Sequence, residues 1–160
     1  MPAYDFEQQF VIGTHHEQTL DAYFQQYFWI EPASRQEQRQ GIDRWFQAPD
    51  GSWMSVEYKA DMTAGRTGNA FIETISVDVR AVQGWAYASE ADVLAYYVPP
   101  RNSVWLICFM EFRQYLAEWH QRYPLRQIPN QGYCTEGLLV PLVLFGNIAF
   151  EVCRIGEWSH

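Results

Sequence analysis

The first clear pattern of apolar and polar positions is helical and runs from Thr14 to Trp29. Large apolar side chains recur there at intervals of three and four residues, at Leu20, Tyr23, Phe24, Tyr27 and Phe28. This spacing places them on one face of an amphipathic helix. Thr14 and Glu17 match the S/T-x-x-E capping box, which predicts that the helix begins at Thr14.

A β-hairpin is predicted next, after the polar residues 31–40. The strand-like runs Ile42–Gln47 and Trp53–Asp61 flank the sequence A-P-D-G-S. Proline fixes φ and glycine accepts positive φ, so this sequence is typical of a tight turn between two strands. We therefore interpret Asp50 as a turn residue rather than as part of a site.

The rest of the chain alternates short strands with one more helix. Strands are predicted at Asn69–Val79, Val93–Val98 and Val104–Phe109, and a strand-rich region at Gly137–Ile155. Between them a helix is predicted from Glu111 to Arg122, with Phe112, Tyr115, Leu116 and Trp119 on its core face. The resulting order, α-β-β-β-β-β-α-β with a final strand region, predicts an α/β fold.

Composition fits one folded domain without a membrane segment. The 160 residues are 48% hydrophobic and 17% aromatic, so we take residues 1–160 as a single domain. The longest apolar run, Gly137–Phe150, is shorter than a membrane helix and is interrupted by Pro141 and Gly146. No basic and apolar leader is visible at the start, and we expect a cytoplasmic location and no membrane partner.

Cysteine, histidine and net charge narrow the candidate chemistry. Cys108, Cys134 and Cys153 are far apart, and the four histidines show no metal-ligand spacing, so zinc and disulfides are disfavoured. The formal net charge of −8 argues against broad, nonspecific phosphate binding. It leaves open a local basic groove.

One acid–lysine pattern carries more information than the net charge. Ten of the eleven basic residues are arginines, and the only lysine is Lys59, in the strand-like run S-V-E-Y-K-A-D. Side chains alternate along a strand, so Glu57 and Lys59 point to one face. The predicted hairpin brings Asp43 beside Glu57. Two converging carboxylates repel each other unless a cation lies between them, and Mg²⁺ prefers such oxygen ligands.

The pattern Asp43…Glu57-Tyr58-Lys59 resembles the active site of the PD-(D/E)xK nuclease superfamily, which includes restriction endonucleases and archaeal-type Holliday junction resolvases. The contexts G-I-D-R-W-F, V-E-Y-K-A-D and T-G-N-A-F-I-E are also similar to members of that family. The resemblance covers roughly residues 14–125. It implies a restriction-endonuclease-like core of α-β-β-β-α-β order, with a mixed central β-sheet flanked by helices.

The resemblance also implies roles for individual residues. Asp43, Glu57 and the backbone carbonyl of Tyr58 would hold Mg²⁺, for which Mn²⁺ can substitute. Lys59 would position or activate the attacking water and offset charge on the scissile phosphate. Two further acids are candidates: Glu17 on the first helix and Glu73 in F-I-E. Glu57 with Lys59 as a plain surface ion pair, and Glu17 as the capping acid, are the structural alternatives.

Four arginines near the predicted site are candidates for gripping phosphates: Arg35, Arg39, Arg44 and Arg66. The expected function is a metal-dependent DNA endonuclease, resolvase-like or of a mobile-element or phage type, acting on duplex or branched DNA as a homodimer or higher homo-oligomer. The alternative is a catalytically inactive nuclease-fold protein that serves as a binding or assembly module. A nuclease that acts on RNA is the third hypothesis.

Overall fold

The computed structural model describes the backbone of residues 6–156 and the side chains of residues 13–156. The helices in this part of the chain are α1 (Phe6–Phe24), α2 (Arg35–Arg39), α3 (Met62–Thr67), α4 (Trp85–Ala88), α5 (Phe109–Arg122) and α6 (Leu142–Ile148). Its strands are β1 (Trp29–Pro32), β2 (Arg44–Gln47), β3 (Trp53–Ala60), β4 (Asn69–Val77), β5 (Val82–Gln83), β6 (Val93–Val98), β7 (Ser103–Cys108), β8 (Leu125–Pro129), β9 (Cys134–Pro141) and β10 (Glu151–Arg154).

The strands form two sheets. The first is central and mixed, with the order β1-β2-β3-β6-β7-β10; β3 and β6 run parallel, and the other neighbours are antiparallel. The second has the order β5-β4-β9-β8 and is antiparallel throughout. The protein therefore has the predicted α/β class, with a mixed central sheet flanked by helices.

Both faces of the central sheet are covered by apolar layers. Helix α1 packs Leu20 and Phe24 against one face, where Phe46, Val56 and Tyr97 are buried. The opposite face packs against α5, α6 and one face of the second sheet, in the larger core. Strand β3 lies inside the sheet and is buried on both faces from residue 55 to residue 58. No helix among the described residues is long and apolar enough to cross a membrane.

The predicted hairpin is confirmed as β2 and β3, with Gln47 paired to Trp53 and Arg44 paired to Val56. In its turn, a carboxylate oxygen of Asp50 accepts hydrogen bonds from the backbone N–H of Ser52 at 2.9 Å and from its hydroxyl at 2.6 Å. Asp50 is thus a turn residue, as its sequence context indicates. The strands predicted near residues 69–79, 93–98 and 104–109 are also present, as β4, β6 and β7.

The predicted start of the first helix is wrong. Helix α1 begins at Phe6, so Thr14 and Glu17 lie inside it and form no capping box. The preceding Glu7, Gln8 and Gln9 are good helix formers that extend the helix backwards. The same spacing of three residues that brings a cap to its partner also separates neighbours one turn apart inside a helix. Glu17 is therefore free of the capping role.

Two other boundaries differ from the prediction. The helix ends at Phe24, and Trp29 begins strand β1, where it pairs with Gln47 at the edge of the central sheet. In the region Gly137–Ile155, α6 lies between β9 and β10, because its apolar residues Leu142, Phe145 and Ile148 follow helical spacing and fill the core. Tertiary packing decides the structure of such short apolar runs.

Because of the packing of the core, we expect alanine substitutions at two positions of α6 to differ greatly in their effect on the free energy of unfolding. The ring of Phe145 is fully buried against Tyr96, Trp105, Phe112 and Trp119. We expect Phe145→Ala to lower the free energy of unfolding by about 3–5 kcal/mol, because it leaves a cavity. Val143 is 74% exposed, and Val143→Ala, the control, should change it by less than about 0.5 kcal/mol. Chemical denaturation of both variants measures the difference, and equal losses would contradict this account of the core.

Candidate functional site

The candidate site lies at the start of β2, where this strand runs beside β3. Asp43 directly precedes β2, and its backbone N–H donates to the carbonyl of Val56 at 2.9 Å. Its carboxylate oxygen Oδ2 then accepts the backbone N–H of Tyr58 at 2.8 Å. The Asp43 side chain thus extends the hydrogen bonding between β2 and β3 beyond the first residue of β2. This fixes its carboxylate at the edge of β3, next to Glu57.

Strand geometry places a backbone oxygen at the same spot. Within an extended strand, the N–H and C=O of one residue point to the same neighbouring strand. The N–H of Tyr58 points to Asp43, so its carbonyl points to that side as well. The side chain of Asp43 and the carbonyl of Tyr58 therefore lie on the same side of β3.

Glu57 is the buried centre of the site. The residue is 4% exposed, and its Oε1 lies 3.0 Å from Nζ of Lys59. Its other oxygen, Oε2, is buried without a hydrogen-bond partner among the described residues. The nearby hydroxyl of Ser89 donates instead to the carbonyl of Gly41 at 3.1 Å. An unsatisfied buried carboxylate oxygen is costly, and it calls for a cation or a proton.

Burial dominates the electrostatics of both acids. Desolvation raises the pKa of Glu57. The charge of Lys59 and the nearby Ser89 hydroxyl oppose this rise, and the charge of Asp43 reinforces it. Desolvation also raises the pKa of Asp43, opposed by the Tyr58 N–H and by Lys59. Each carboxylate is thus held in the fold at a cost in free energy while it is ionised. A bound cation would remove that cost.

Lys59 connects this buried pair to an open groove. Its side chain is one-third exposed, and its ammonium lies 5.8 Å from the centre of the Trp85 ring, a cation–π contact. Glu73 of β4 also lines this groove. Burial raises the pKa of Glu73, and the charge of Lys59 offsets part of this rise. Lys59 therefore interacts electrostatically with both Glu57 and Glu73. No Cβ fits at Gly84, since the chain there passes against the backbone carbonyl of Glu73.

Glu17 lies on α1, in an ion-pair network that joins this helix to Arg44 of β2. Arg44 binds Asp21 through Nε, 3.0 Å from Oδ1, and its Nη2 lies 3.5 Å from Oε2 of Glu17. The Arg44 guanidinium also lies over the ring of Tyr58, whose hydroxyl donates to Asp21 at 2.8 Å. Burial raises the pKa of Glu17, opposed first by Arg44. Arg44, predicted to grip phosphate, is thus engaged inside the fold.

The other three predicted phosphate ligands are exposed residues at different distances from the site. Arg66 of α3 lines the groove that contains Lys59. Arg39 of α2 lines a smaller cavity that reaches Glu57. Arg35 is at the start of α2 and lines neither cavity. The structure thus brings Arg66 together with Lys59, and Arg39 together with Glu57.

Sequence reasoning missed the residues that cover Glu57 from the far side. The guanidinium of Arg113 donates to the carbonyls of Ala86 and Ser89 and lies 4.7 Å from the centre of the Phe109 ring. It thereby holds the segment between α4 and β6 over Glu57. Arg126 of β8, across the groove, was also missed. Both depend on contacts between segments far apart in sequence, for which a local pattern carries no signal.

The donor set suits a hard divalent cation. Two carboxylates and a backbone carbonyl are oxygen ligands of the kind that Mg²⁺ takes, together with water and substrate. The partnerless Oε2 of Glu57 is the observation that favours a cation here. Within the described part of the chain, no group of three or more His, Cys, Asp and Glu side chains is arranged as a metal site. The proposed ion would therefore use two side chains and the main chain.

Comparison with family models, curated proteins and solved structures gave no match to this chain. The functional argument therefore depends on the geometry of the site.

The buried carboxylate predicts a pH-dependent effect of Glu57→Gln. A pKa raised in the folded state contributes stability at low pH, which is lost as the pH rises through the folded-state value. In EDTA, the melting temperature of Glu57→Gln relative to the parent should therefore increase from pH 4.5 to pH 8. The exposed Glu90→Gln is the control and should differ little from the parent at either pH. A difference for Glu57→Gln that is constant or falls with pH would contradict the assignment.

Proposed function

We propose that this protein is a Mg²⁺-dependent DNA endonuclease of the PD-(D/E)xK type. The element order supports this proposal: α1 is followed by β1, β2 and β3, paired consecutively, and β6 then joins parallel to β3. This agrees with the restriction-endonuclease-like core that the sequence resemblance implies. The second sheet lies largely outside that core.

A single observation carries the proposal. A buried carboxylate with a partnerless oxygen, Glu57, lies between a second carboxylate and the one lysine of the chain. A plain surface ion pair would leave both of its partners in water. Here the acid is 4% exposed, and both acids have a raised pKa. Such clusters of perturbed groups beside a groove are typical of catalytic sites.

Asp43, Glu57 and the carbonyl of Tyr58 would hold the ion. When bound, the ion supplies a Lewis acid for the phosphate and lowers the pKa of a bound water. Lys59 then has two roles of its own: its ammonium neutralises charge on the phosphate at the mouth of the groove, and it orients the nucleophile. The ion pair with Glu57 and the contact with Trp85 fix the direction of this ammonium.

Glu73 and Glu17 take supporting roles in this proposal. Glu73 lines the same groove as Lys59, and its carboxylate helps to hold the Lys59 side chain in place by charge attraction. Glu17 and Asp21 both form ion pairs with Arg44, and these pairs stabilise the start of β2, next to Asp43. Neither acid is needed as a direct ligand of the ion.

The substrate and assembly belong to the same proposal. We infer a phosphodiester of DNA, in duplex or branched form, cut by a homodimer or a higher homo-oligomer, since cutting both strands needs two sites. A labelled RNA of the same structure is the comparison substrate. Preferential cutting of RNA would overturn the assignment of DNA.

Activity assays on site variants test the proposal. Supercoiled plasmid and a four-way DNA junction would be incubated with the protein in Mg²⁺, Mn²⁺ or EDTA. We expect cutting with either metal and none in EDTA. Asp43→Asn and Lys59→Ala should each lower the rate at least about 100-fold, because each removes a charge that acts on the reacting phosphate. Asp50→Asn, which removes a carboxylate from the hairpin turn, is the matched control and should cut at the parental rate.

Two results would overturn the proposal. Cutting that persists in both Asp43→Asn and Lys59→Ala would locate the activity elsewhere. A folded parent protein that cuts none of the substrates would favour the second candidate, an inactive binding or assembly module. The edge of the central sheet supports that candidate: Trp29 and Trp53, 67% and 44% exposed, flank Gln47 in one cross-strand row. Exposed tryptophans of this kind are enriched in protein interfaces.

A further inference from the structure

A groove runs from Lys59 between the central sheet and the second sheet. Its volume is about 530 Å³. One wall is formed by the end of β3 and by α3, and the other by the open face of β4, β9 and β8. The sequence resemblance covers the first wall and the start of the second, but leaves β8 and β9 unassigned. Strands β8 and β9 therefore have no role in the proposed catalytic core itself.

The charge of the groove differs from that of the whole chain. Three cations line it: Lys59, Arg66 of α3 and Arg126 of β8. Neither arginine forms an ion pair with another described residue. The acids of the lining are Asp61 and Glu73. Lys59 already pairs with Glu57, so the two arginines are the cations of the lining that favour an anionic ligand, in a chain of net charge −8.

The carboxylate of Asp61, one of the two acids in the lining, is held by hydrogen bonds within the fold. Oδ1 accepts the backbone N–H of Ala64 at 2.9 Å, and Oδ2 accepts that of Phe71 at 3.1 Å. The hydroxyl of Tyr96 donates to the same Oδ2. Three donors of the fold therefore fix the position of this carboxylate. The arginines on opposite walls are left to face the groove.

The groove also offers aromatic surface and has a limited size. Trp85 and Phe71, both half-buried, line it beside the cations. The Trp85 ring already stacks on Phe112 and lies under Lys59, so Phe71 is the ring proposed for base stacking. A basic groove with aromatic side chains is the usual means of holding an unpaired nucleic-acid strand, since bases stack on the rings. Its volume falls within the range of about 300–1,000 Å³ that encloses one small ligand. That is space for a nucleotide or two of a single strand rather than for a duplex.

We propose that this groove binds the unpaired DNA strand adjacent to the cleaved phosphate, with Arg66 and Arg126 as its phosphate ligands. The proposal rests on the proposed nuclease function, since it takes Lys59 as the position of that phosphate. It assigns the second sheet to substrate selection: the preferred substrate carries a single-stranded segment, as in a flap, a fork or a frayed end. A blunt duplex reaches only the mouth of the groove.

Binding without cleavage tests the proposal. Fluorescence anisotropy in EDTA would measure three DNA probes of one sequence: a 12-nucleotide single strand, a forked duplex with unpaired arms, and a blunt duplex. We expect the parent to bind the single strand and the fork more tightly than the blunt duplex. Arg126→Ala and Arg66→Ala should each weaken binding of those two probes about tenfold. Each should also reduce the slope of log affinity against log salt by about 1.

Arg122→Ala is the matched control, because it removes the same charge from an exposed arginine of α5 that pairs with Glu118 outside the groove. It should leave all three affinities unchanged. Parental affinity in both Arg66→Ala and Arg126→Ala would overturn the proposal. So would an equal loss on the blunt duplex, which would indicate backbone contacts to paired DNA. Circular dichroism spectra and melting temperatures of the variants separate lost binding from lost folding.

Failure of this inference is distinguishable from failure of the proposed function. Asp43→Asn removes one proposed metal ligand and leaves the groove lining intact, so in EDTA it should bind the fork like the parent, while in Mg²⁺ it cuts at least about 100-fold more slowly. A parent that cuts DNA, with groove variants that bind normally, would overturn the strand-binding role alone. If the parent cuts nothing but binds the fork, and Arg126→Ala loses this binding, the nuclease function is overturned and the groove is kept as a strand-binding site.

Discussion

Strand β3 is buried on both faces and hydrogen-bonded on both edges, and the rest of the site depends on this placement. It pairs antiparallel with β2 and parallel with β6, so none of its central residues can turn away from the interior. The side chain of Glu57 must then lie inside the protein, although burying a carboxylate is unfavourable. One oxygen of Glu57 pairs with Lys59, and the other has no hydrogen-bond partner among the described residues, although the nearby Ser89 hydroxyl lowers the pKa of this carboxyl. A hydrophobic residue would suit the fold better, which is why function is the better explanation of this acid.

The part of the site that depends on local geometry could be predicted from the sequence. A tight turn at A-P-D-G-S sets the hairpin, and the twofold alternation of a strand sets the shared face of Glu57 and Lys59. Together they bring Asp43 alongside, as the structure has it. Asp50 shows the same logic in reverse, because its neighbours make it a turn residue although it follows a proline.

The part that depends on long-range packing could not be predicted. Arg44 is next to Asp43 in sequence, but its partner Asp21 is 23 residues away on α1, so its engagement was invisible beforehand. Glu73 was expected in a third strand of one sheet. Its strand in fact pairs with β9 and β5, in a second sheet that bends back towards Lys59. Strand pairing between distant segments is chosen by the whole core, and no local pattern of apolar residues encodes it.

Net charge is a poor guide to this surface, because many of the acids have structural partners. Asp92 accepts the backbone N–H of Ser55, Asp78 accepts that of Cys134, and Asp61 caps α3. These carboxylates still count towards −8, yet their positions serve turns and strand ends. The two groove arginines, in contrast, face a shared space. On the proposed function, an acidic protein with a small basic groove would bind paired DNA weakly and would favour a strand that enters the groove. Few phosphates would then be neutralised, so the affinity would depend weakly on salt, and selectivity would come from the shape of the bound strand.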